Sequence, residues 1–109
     1  MNIRFLAKSF PLTDALQQYA EDKLVKLTEH VKMIKDPGVE FARETHHHSG
    51  SDVFRAEVML HLEHALLRAE ATDGDMYAAF DETIPKLKEQ LAKYKGLTHD
   101  KPWRTPRQN

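Results

Sequence analysis

The residues from Val53 to Glu63 form the longest alternating run in the chain. One set consists of Phe54, Ala56, Val58, Leu60 and Leu62, and the other of Arg55, Glu57, Met59, His61 and Glu63. Successive side chains of a β-strand point to opposite faces of the sheet, so this pattern predicts a strand with one buried and one solvated face. Such a strand is typical of an antiparallel sheet that is covered on one side only.

Three shorter segments, "NIRFLAK", "GVEFARET" and "ALLRAEAT", also alternate and are predicted to be strands. The last of them follows the long strand closely, so we expect a hairpin around Glu63 and His64. Together with the long strand, these segments give four strands. One strand precedes the first of the two helices described next, and the other three lie between the helices.

Apolar residues at three- and four-residue spacing predict two helices. Their stripes are Leu16, Tyr19, Ala20, Leu24, Leu27 and Val31 in the first helix and Met76, Phe80, Ile84, Leu87, Leu91 and Tyr94 in the second. The candidate caps are Thr13 or Asp14 and Asp73 or Asp75. We expect the first helix to end before "KDPG" and the second to end at Gly96. Pro85 falls opposite the second stripe, where a kink toward the sheet is tolerable.

The predicted fold class is α+β with the order β-α-β-β-β-α. One four-stranded sheet with both helices on a single face buries every apolar stripe. If the first helix joins two neighbouring parallel strands, it runs antiparallel to both. If strands two, three and four form a meander, strand four points the same way as strand two, and the second helix returns antiparallel to it. The sequence therefore predicts two parallel helices.

Both predicted helices are acidic in the first half and basic in the second. Parallel helices of this kind bring their basic halves to one end of the domain. The helix macrodipole also favours this order, by about 0.3–1 kcal/mol per charge, but its effect fades within about one turn of each end. Lys23, Lys26 and Lys86 lie deeper than that. A phosphate-binding surface and an ordinary solvated face both fit the pattern.

Composition narrows the class of protein. The chain has 109 residues, 16 of them basic and 17 acidic, so any affinity for nucleic acid must come from local segregation of charge. We expect a single soluble, cytoplasmic domain, because no apolar run reaches the length of a membrane span and the N-terminus lacks a signal-peptide pattern. The absence of cysteine excludes disulfides and thiolate zinc sites.

Neither catalysis nor metal binding is predicted. The adjacent imidazoles of His46, His47 and His48 point to alternating sides of an extended segment and do not converge on one ion. The sequence shows no cysteine nucleophile, no serine with a matching histidine and aspartate, and no glycine-rich phosphate loop. We expect a protein that is not an enzyme and needs no cofactor and no small-molecule substrate.

The element order, with "DKLVKL" in the first helix and "DMYAAFDETIPKLKEQLAKYK" in the second, resembles the ribosome hibernation-promoting factor and ribosome-associated inhibitor family, also called sigma-factor modulation proteins. The resemblance covers residues 1 to about 96, and the length is similar to the short form. It implies a fold like that of a double-stranded-RNA-binding domain. We therefore expect a domain at residues 1–96 and a flexible basic tail at residues 97–109.

The resemblance also implies a function. Members bind the small ribosomal subunit, its 16S rRNA and proteins, in the decoding channel, where they block access of mRNA and tRNA in stationary phase or stress. The short form assists ribosome dimerisation with a separate small modulation factor. Lys23, Lys26, Lys86 and Lys93 match basic positions of the family, whereas Glu89 stands where members often carry arginine.

From helix geometry and this resemblance together, we predict a set of RNA-binding residues. They are Lys23, Lys26, His30, Lys86, Lys88, Gln90, Lys93 and Lys95. The alternative hypothesis is a protein-interaction module that pairs through its sheet edge or its tail and touches RNA only incidentally.

Overall fold

The computed structural model describes residues 1–29, 31, 34–45 and 52–95, together with the backbone of residues 96–99. Its elements are β1 (Arg4–Lys8), α1 (Asp14–Leu27), β2 (Lys35–Thr45), β3 (Asp52–His61), β4 (Leu66–Asp73) and α2 (Met76–His99). The predicted order β-α-β-β-β-α is confirmed. The hairpin after β3 is also confirmed, and the amide of Leu62 donates to the carbonyl of Ala65 across it at 2.8 Å.

The four strands form one mixed sheet in the order β1-β2-β3-β4. β1 pairs parallel with β2, and the other two pairs are antiparallel. β4 therefore points the same way as β2, so α2 returns along the sheet in the same direction as α1. The helix contacts agree with this, because Tyr19 of α1 bonds Asp81 of α2, whereas Leu27 further along shares a groove with Leu91. The prediction of two parallel helices is confirmed.

The buried core lies between the inner face of the sheet and the two helices. The ring of Phe41 in β2 stacks on Phe5 of β1, with 6.4 Å between centroids, and lies 6.2 Å from Phe80 of α2. Val58 and Ala69 face each other across β3 and β4, and both are buried as the alternation predicted. Burying one large apolar side chain contributes about 1.5–3 kcal/mol, so this core, rather than helix propensity, holds the helices in place.

A side-chain cap begins each helix. The hydroxyl oxygen of Thr13 accepts a hydrogen bond from the amide of Leu16 at 3.1 Å, and the carboxylate of Asp75 accepts one from the amide of Ala78 at 2.9 Å. Asp73 accepts from the amide of Asp75 at 3.1 Å and so orders the turn before α2. Thr13 and Asp75 are therefore the caps among the predicted candidates.

The first helix ends before "KDPG", as predicted, but earlier than the stripe with Val31 indicated. α1 ends at Leu27 with Thr28 as its C-cap, and the amide and the hydroxyl of Thr28 both donate to the carbonyl of Leu24, at 3.0 and 2.7 Å. Thr28 is buried, so these bonds satisfy groups that water cannot reach. Val31, which its spacing placed on the helical stripe, lies beyond the helix but still packs against the core.

The second strand starts earlier than the sequence pattern indicated. β2 begins at Lys35, and its pairing with β3 is irregular between Lys35 and Gly38. Asp36 has a positive φ of 49°, a conformation that aspartate tolerates better than most residues. Pro37 then follows without an amide donor, so a bulge at this point leaves no ladder hydrogen bond missing.

α2 has 24 residues and continues through Gly96, so the prediction that Gly96 ends it is wrong. A glycine inside a helix costs only about 1 kcal/mol relative to alanine, which a packed helix tolerates. Pro85 lies inside α2 and is exposed, as expected. Among the described residues, neither helix is long and apolar enough to cross a membrane. The boundary between a domain at 1–96 and a tail at 97–109 stays a prediction.

Candidate nucleic-acid interface

A groove of about 520 Å³ lies between the second halves of α1 and α2. Its lining residues are Lys23, Lys26, Leu27, Ile84, Lys88, Leu91, Ala92 and Lys95. The lysines are exposed, whereas Leu91 is buried and Leu27 and Ile84 are half-buried. The groove therefore has a largely apolar floor and a cationic rim, and we call it the lysine groove.

Helix geometry and the parallel topology together assemble the lysine groove. Lys23 and Lys26 are three positions apart on α1, and Lys88 and Lys95 are seven apart on α2, so each pair lies on one side of its helix. Because the helices run in the same direction, the basic half of each lies beside that of the other. The structure thus brings together four residues of the predicted RNA-binding set.

Lys86 and Gln90 extend to the edge of the sheet instead of into the lysine groove. The ammonium of Lys86 donates to the carbonyl of Glu70 at 2.7 Å, and the amide group of Gln90 bonds the backbone of Arg68. These two residues therefore do not line the lysine groove with the lysines of α1, because β4 lies on their flank of α2. Their contact with RNA stays a prediction.

The remaining predicted residues are Lys93 and His30. Lys93 is exposed and lies seven positions after Lys86, on the same side of α2 and outside the lining of the lysine groove. His30 lies outside the described residues. Lys93 therefore does not line the lysine groove, and the contact of both residues with RNA stays a prediction.

The rim of the lysine groove keeps its positive charge. Within the described ranges, no carboxylate lines the groove, and Lys26 and Lys88 form no ion pair. Glu89 is exposed but does not line the groove, although it follows Lys88 directly in sequence. Clustered ammonium groups of this kind create a local positive potential on a chain whose formal net charge is −1.

The two helices are joined at the other end of their contact by Tyr19 and Asp81. The hydroxyl of Tyr19 donates to the carboxylate of Asp81 at 2.6 Å to Oδ1, and this bond raises the pKa of Tyr19 to about 12. The ring of Tyr19 meets Tyr77 edge-on at 5.0 Å and carries the ammonium of Lys23 at 5.3 Å from its centroid. Asp81, one of the acidic residues in the first half of α2, therefore links the helices, a role that sequence spacing does not reveal.

The start of α2 is acidic. The carboxyl of Glu82 shares a hydrogen bond with Asp73, which raises the pKa of Glu82 and lowers that of Asp73. Asp75 caps the helix beside them. The charges of α2 are thus sorted along its length as predicted, with carboxylates at its start and the lysines of the groove toward its end.

Residues 3–98 match the model of the family described as sigma 54 modulation protein / S30EA ribosomal protein. The chain belongs to this family. Two curated relatives, both named ribosome hibernation promotion factor, are 32% identical to it, over 89 residues for Deinococcus radiodurans and 84 residues for Staphylococcus aureus strain COL. The matches cover 81% and 77% of this chain but 46% and 43% of the relatives. This family member thus spans less than half the length of the curated relatives it matches.

Solved structures confirm the fold of this family member. A ribosomal subunit interface protein from Coxiella burnetii superposes with a TM-score of 0.69 over 88% of this chain and 99% of that one, at 23% identity. The N-terminal domain of protein Y from Thermus thermophilus gives 0.66 over 86% and 99%, at 28% identity. Both are matched over almost their whole length, so the arrangement of four strands and two helices is common to all three.

The outer face of the sheet carries a dense network of ion pairs that the sequence alone does not reveal. Arg55 is at its centre and contacts four carboxylates, at 2.8 Å for Glu40 and 3.4 or 3.5 Å for Glu44, Glu57 and Glu70. The side chain of Arg55 is only 17% exposed. The pKa of Glu40 is lowered mainly by its hydrogen bond from Arg55.

Further cations complete this network. Arg68 contacts Glu57 and Glu70, and Lys8 lies 3.5 Å from Glu40. Because the cations and carboxylates of this face neutralise one another, it offers little net charge to an RNA backbone. Among the described residues, Lys26 and Lys88 of the lysine groove, by contrast, lie on the helix side and form no ion pair.

A metal centre finds no support in the part of the chain that the structure describes. No three side chains of the metal-binding types converge there. The predicted exclusion of a site at His46, His47 and His48 concerns residues outside the described ranges, so it stays a prediction.

Proposed function

We propose that this chain is a non-enzymatic ribosome-binding inhibitor of translation that holds 16S rRNA phosphates in the lysine groove. The observation that carries this proposal is the convergence of Lys23 and Lys26 of α1 with Lys88 and Lys95 of α2. Family membership and the names of the curated relatives support a ribosomal partner and a role in hibernation. No cofactor is needed, because the action is steric.

The geometry favours a flexible RNA backbone as the ligand. Lysine ammonium groups are compact cations that bind phosphate without demanding a fixed orientation. Two rows of them, one on each helix, suit consecutive phosphates of a strand that runs along the groove. The apolar floor adds a surface on which a ribose or the face of an unpaired base can pack.

The finer steps of the function also form part of the proposal. The domain occupies the decoding channel of the small subunit in the cytoplasm and excludes mRNA and tRNA anticodons during stationary phase or stress. With a separate modulation factor, it promotes the pairing of idle ribosomes. In-vitro translation and sucrose-gradient profiles test these steps, and the expected results are inhibition that rises with occupancy and a ribosome-dimer peak that requires both proteins.

The site assignment is tested by co-sedimentation with small subunits. We expect Lys26→Glu with Lys88→Glu to abolish binding, because the variant replaces two cations of the groove by anions. Arg4→Glu with Lys8→Glu on the outer sheet face makes the same change in net charge and serves as the matched control. The control is expected to bind much better than the groove variant.

Equal loss of binding in both variants would show a dependence on net charge alone and would contradict the lysine groove as the site. A third variant, Lys86→Glu with Lys93→Glu, measures what the opposite flank of α2 contributes. The alternative, a protein-interaction module, predicts a partner that stays bound after nuclease digestion and in high salt. Loss of the partner after nuclease treatment supports the RNA-binding proposal.

A further inference from the structure

β4 is an edge strand, and side chains of α2 occupy its free side. The amide nitrogen of Gln90 donates to the carbonyl of Arg68 at 2.8 Å, and the amide oxygen of Gln90 accepts from the N–H of Arg68 at 3.1 Å. The ammonium of Lys86 donates to the carbonyl of Glu70 at 2.7 Å. An edge strand normally leaves such groups to water or to another strand. α2 therefore supplies hydrogen bonds that a fifth strand would otherwise make.

These contacts lie at the centre of the free edge. In an antiparallel sheet, alternate residues of an edge strand direct both backbone groups outward. Arg68 and Glu70 belong to this outward series, which also includes Leu66 and Thr72 at the two ends of β4. A strand that approaches β4 therefore meets three occupied groups in the middle of the edge, namely the N–H and the carbonyl of Arg68 and the carbonyl of Glu70.

The edge of β4 is complementary to itself. In antiparallel pairing centred on Ala69, Arg68 of one copy lies opposite Glu70 of a second copy, and the same pair recurs across the two-fold axis. On the inner face, Leu67 lies opposite Ala71, and the two copies of Ala69 face each other. Opposite charges and apolar pairs at facing positions stabilise strand pairing.

We propose that β4 is a pairing surface for a second copy of this chain and that the hydrogen bonds of Gln90 and Lys86 to β4 prevent this pairing. The second copy is the occupant because the register centred on Ala69 matches charge with charge and apolar residue with apolar residue. The surface lies on the flank of α2 opposite the lysine groove. It therefore does not overlap the lysine groove, and its test does not involve ribosomes.

Sedimentation equilibrium of the full 109-residue chain tests this proposal. We expect the wild type to be monomeric and Lys86→Ala with Gln90→Ala to self-associate about tenfold more tightly or better, the effect of roughly one backbone hydrogen bond. Alanine is the best helix former, so the variant keeps α2, which circular dichroism verifies. The matched control is Glu89→Ala with Lys93→Ala, which leaves the contacts to β4 in place and is expected to stay monomeric.

Charge changes on β4 test the register. In the Lys86→Ala, Gln90→Ala background, adding either Arg68→Glu or Glu70→Arg places like charges opposite each other and is expected to weaken self-association. A mixture of these two variants places opposite charges together again and is expected to form a heterodimer. Self-association that ignores these charges, or a doubly substituted chain that stays monomeric, would overturn the proposal.

Hydrogen exchange gives a measurement that does not depend on the folding of charge-reversed variants. The N–H of Arg68 faces away from β3, yet we expect it to exchange slowly in the wild type because Gln90 accepts its hydrogen bond. Gln90→Ala is expected to accelerate exchange at this amide selectively at low protein concentration. Fast exchange of this amide in the wild type would show that Gln90 does not occupy the edge of β4 and would contradict the proposal.

Discussion

The hydroxyl of Tyr19 on α1 lies 2.6 Å from Oδ1 of Asp81 on α2, so one hydrogen bond joins the two helices near the acidic end of their contact. The lysine groove begins one turn further along, at Lys23, whose ammonium lies over the ring of Tyr19. This bond therefore helps to set the axial position of one helix against the other. The spacing of the groove lysines depends on that position.

We expect Tyr19→Phe to lower the free energy of unfolding by about 1 kcal/mol, because it removes a hydrogen bond to a charged acceptor at a partly solvated site. Urea unfolding measures this change. Tyr77→Phe is the matched control, because the structure gives the hydroxyl of Tyr77 no hydrogen bond, and it is expected to change little. Equal losses in both variants would contradict the helix-linking role of Tyr19.

The same bond predicts a loss of stability in alkali. The pKa of Tyr19 is raised from 10.0 to about 12, so the folded state holds this proton more tightly than the unfolded state does. The stabilisation is fully present below pH 10 and is lost as pH rises toward 12. The difference in unfolding free energy between wild type and Tyr19→Phe is expected to shrink over this interval. A difference that stays constant over this pH interval would contradict the coupling between ionisation of Tyr19 and unfolding.

Arg55 contacts four carboxylates from a site that is 17% exposed, so its loss removes the cation that these four groups share. We expect Arg55→Met to destabilise the fold by about 2 kcal/mol at neutral pH. Arg43→Met removes an exposed ion pair with Asp52 and serves as control, with an expected change of less than about 1 kcal/mol. Chemical denaturation compares the two variants. Similar small effects would show that the network contributes no more than surface pairs do.

The lowered pKa of Glu40 predicts how the stability of this network responds to acid. Its pKa is lowered from 4.5, so the unfolded state binds the proton more readily, and the stabilisation is present above pH 4.5. It is lost as pH falls below that value toward the folded-state pKa. Glu40→Gln is expected to reduce the dependence of unfolding free energy on pH in this acidic range. Thermal unfolding from pH 6 to about 2 measures the difference, and identical pH profiles would contradict the assignment.

The capping hydrogen bond of Asp75 is expected to contribute measurably to the stability of the fold. Asp75→Ala removes the acceptor for the amide of Ala78 and is expected to lower the free energy of unfolding by about 1 kcal/mol. Asp75→Asn keeps a capping oxygen and is expected to retain most of the stability. Urea midpoints at one pH compare the two variants. A loss as large in the asparagine variant would assign the effect to charge and not to capping.

The dependence of ribosome binding on salt tests the phosphate contacts one lysine at a time. The slope of log K against log salt concentration is negative, and replacing Lys26 by Gln is expected to make it less steep by about 0.7, the value for one phosphate contact with a single strand. Lys8→Gln, on the outer face of the sheet, is expected to leave the slope unchanged. An unchanged slope in the Lys26 variant would remove this lysine from the interface.

The sequence by itself determined the order of elements and the buried face of each strand, whereas the parallel direction of the helices also required the parallel pairing of β1 with β2. The order and the buried faces follow from local periodicity, because the alternation around Val58 and the helical spacing around Leu24 each allow one side to be buried. The sorting of charge along each helix was also evident from the sequence. The helix ends were predicted less well, since α1 ends at Leu27, short of Val31, and Gly96 does not stop α2.

Only the tertiary structure decided which charges meet. Lys88 enters the lysine groove and Lys86 reaches β4, although both flank the same apolar stripe, because the two flanks of a helix packed on a sheet have different neighbours. The contacts of Tyr19 with Asp81 and of Arg55 with Glu40 join residues that are distant in the chain. Local spacing carries no information on such pairs, since it sets the direction of a side chain and not what lies in that direction.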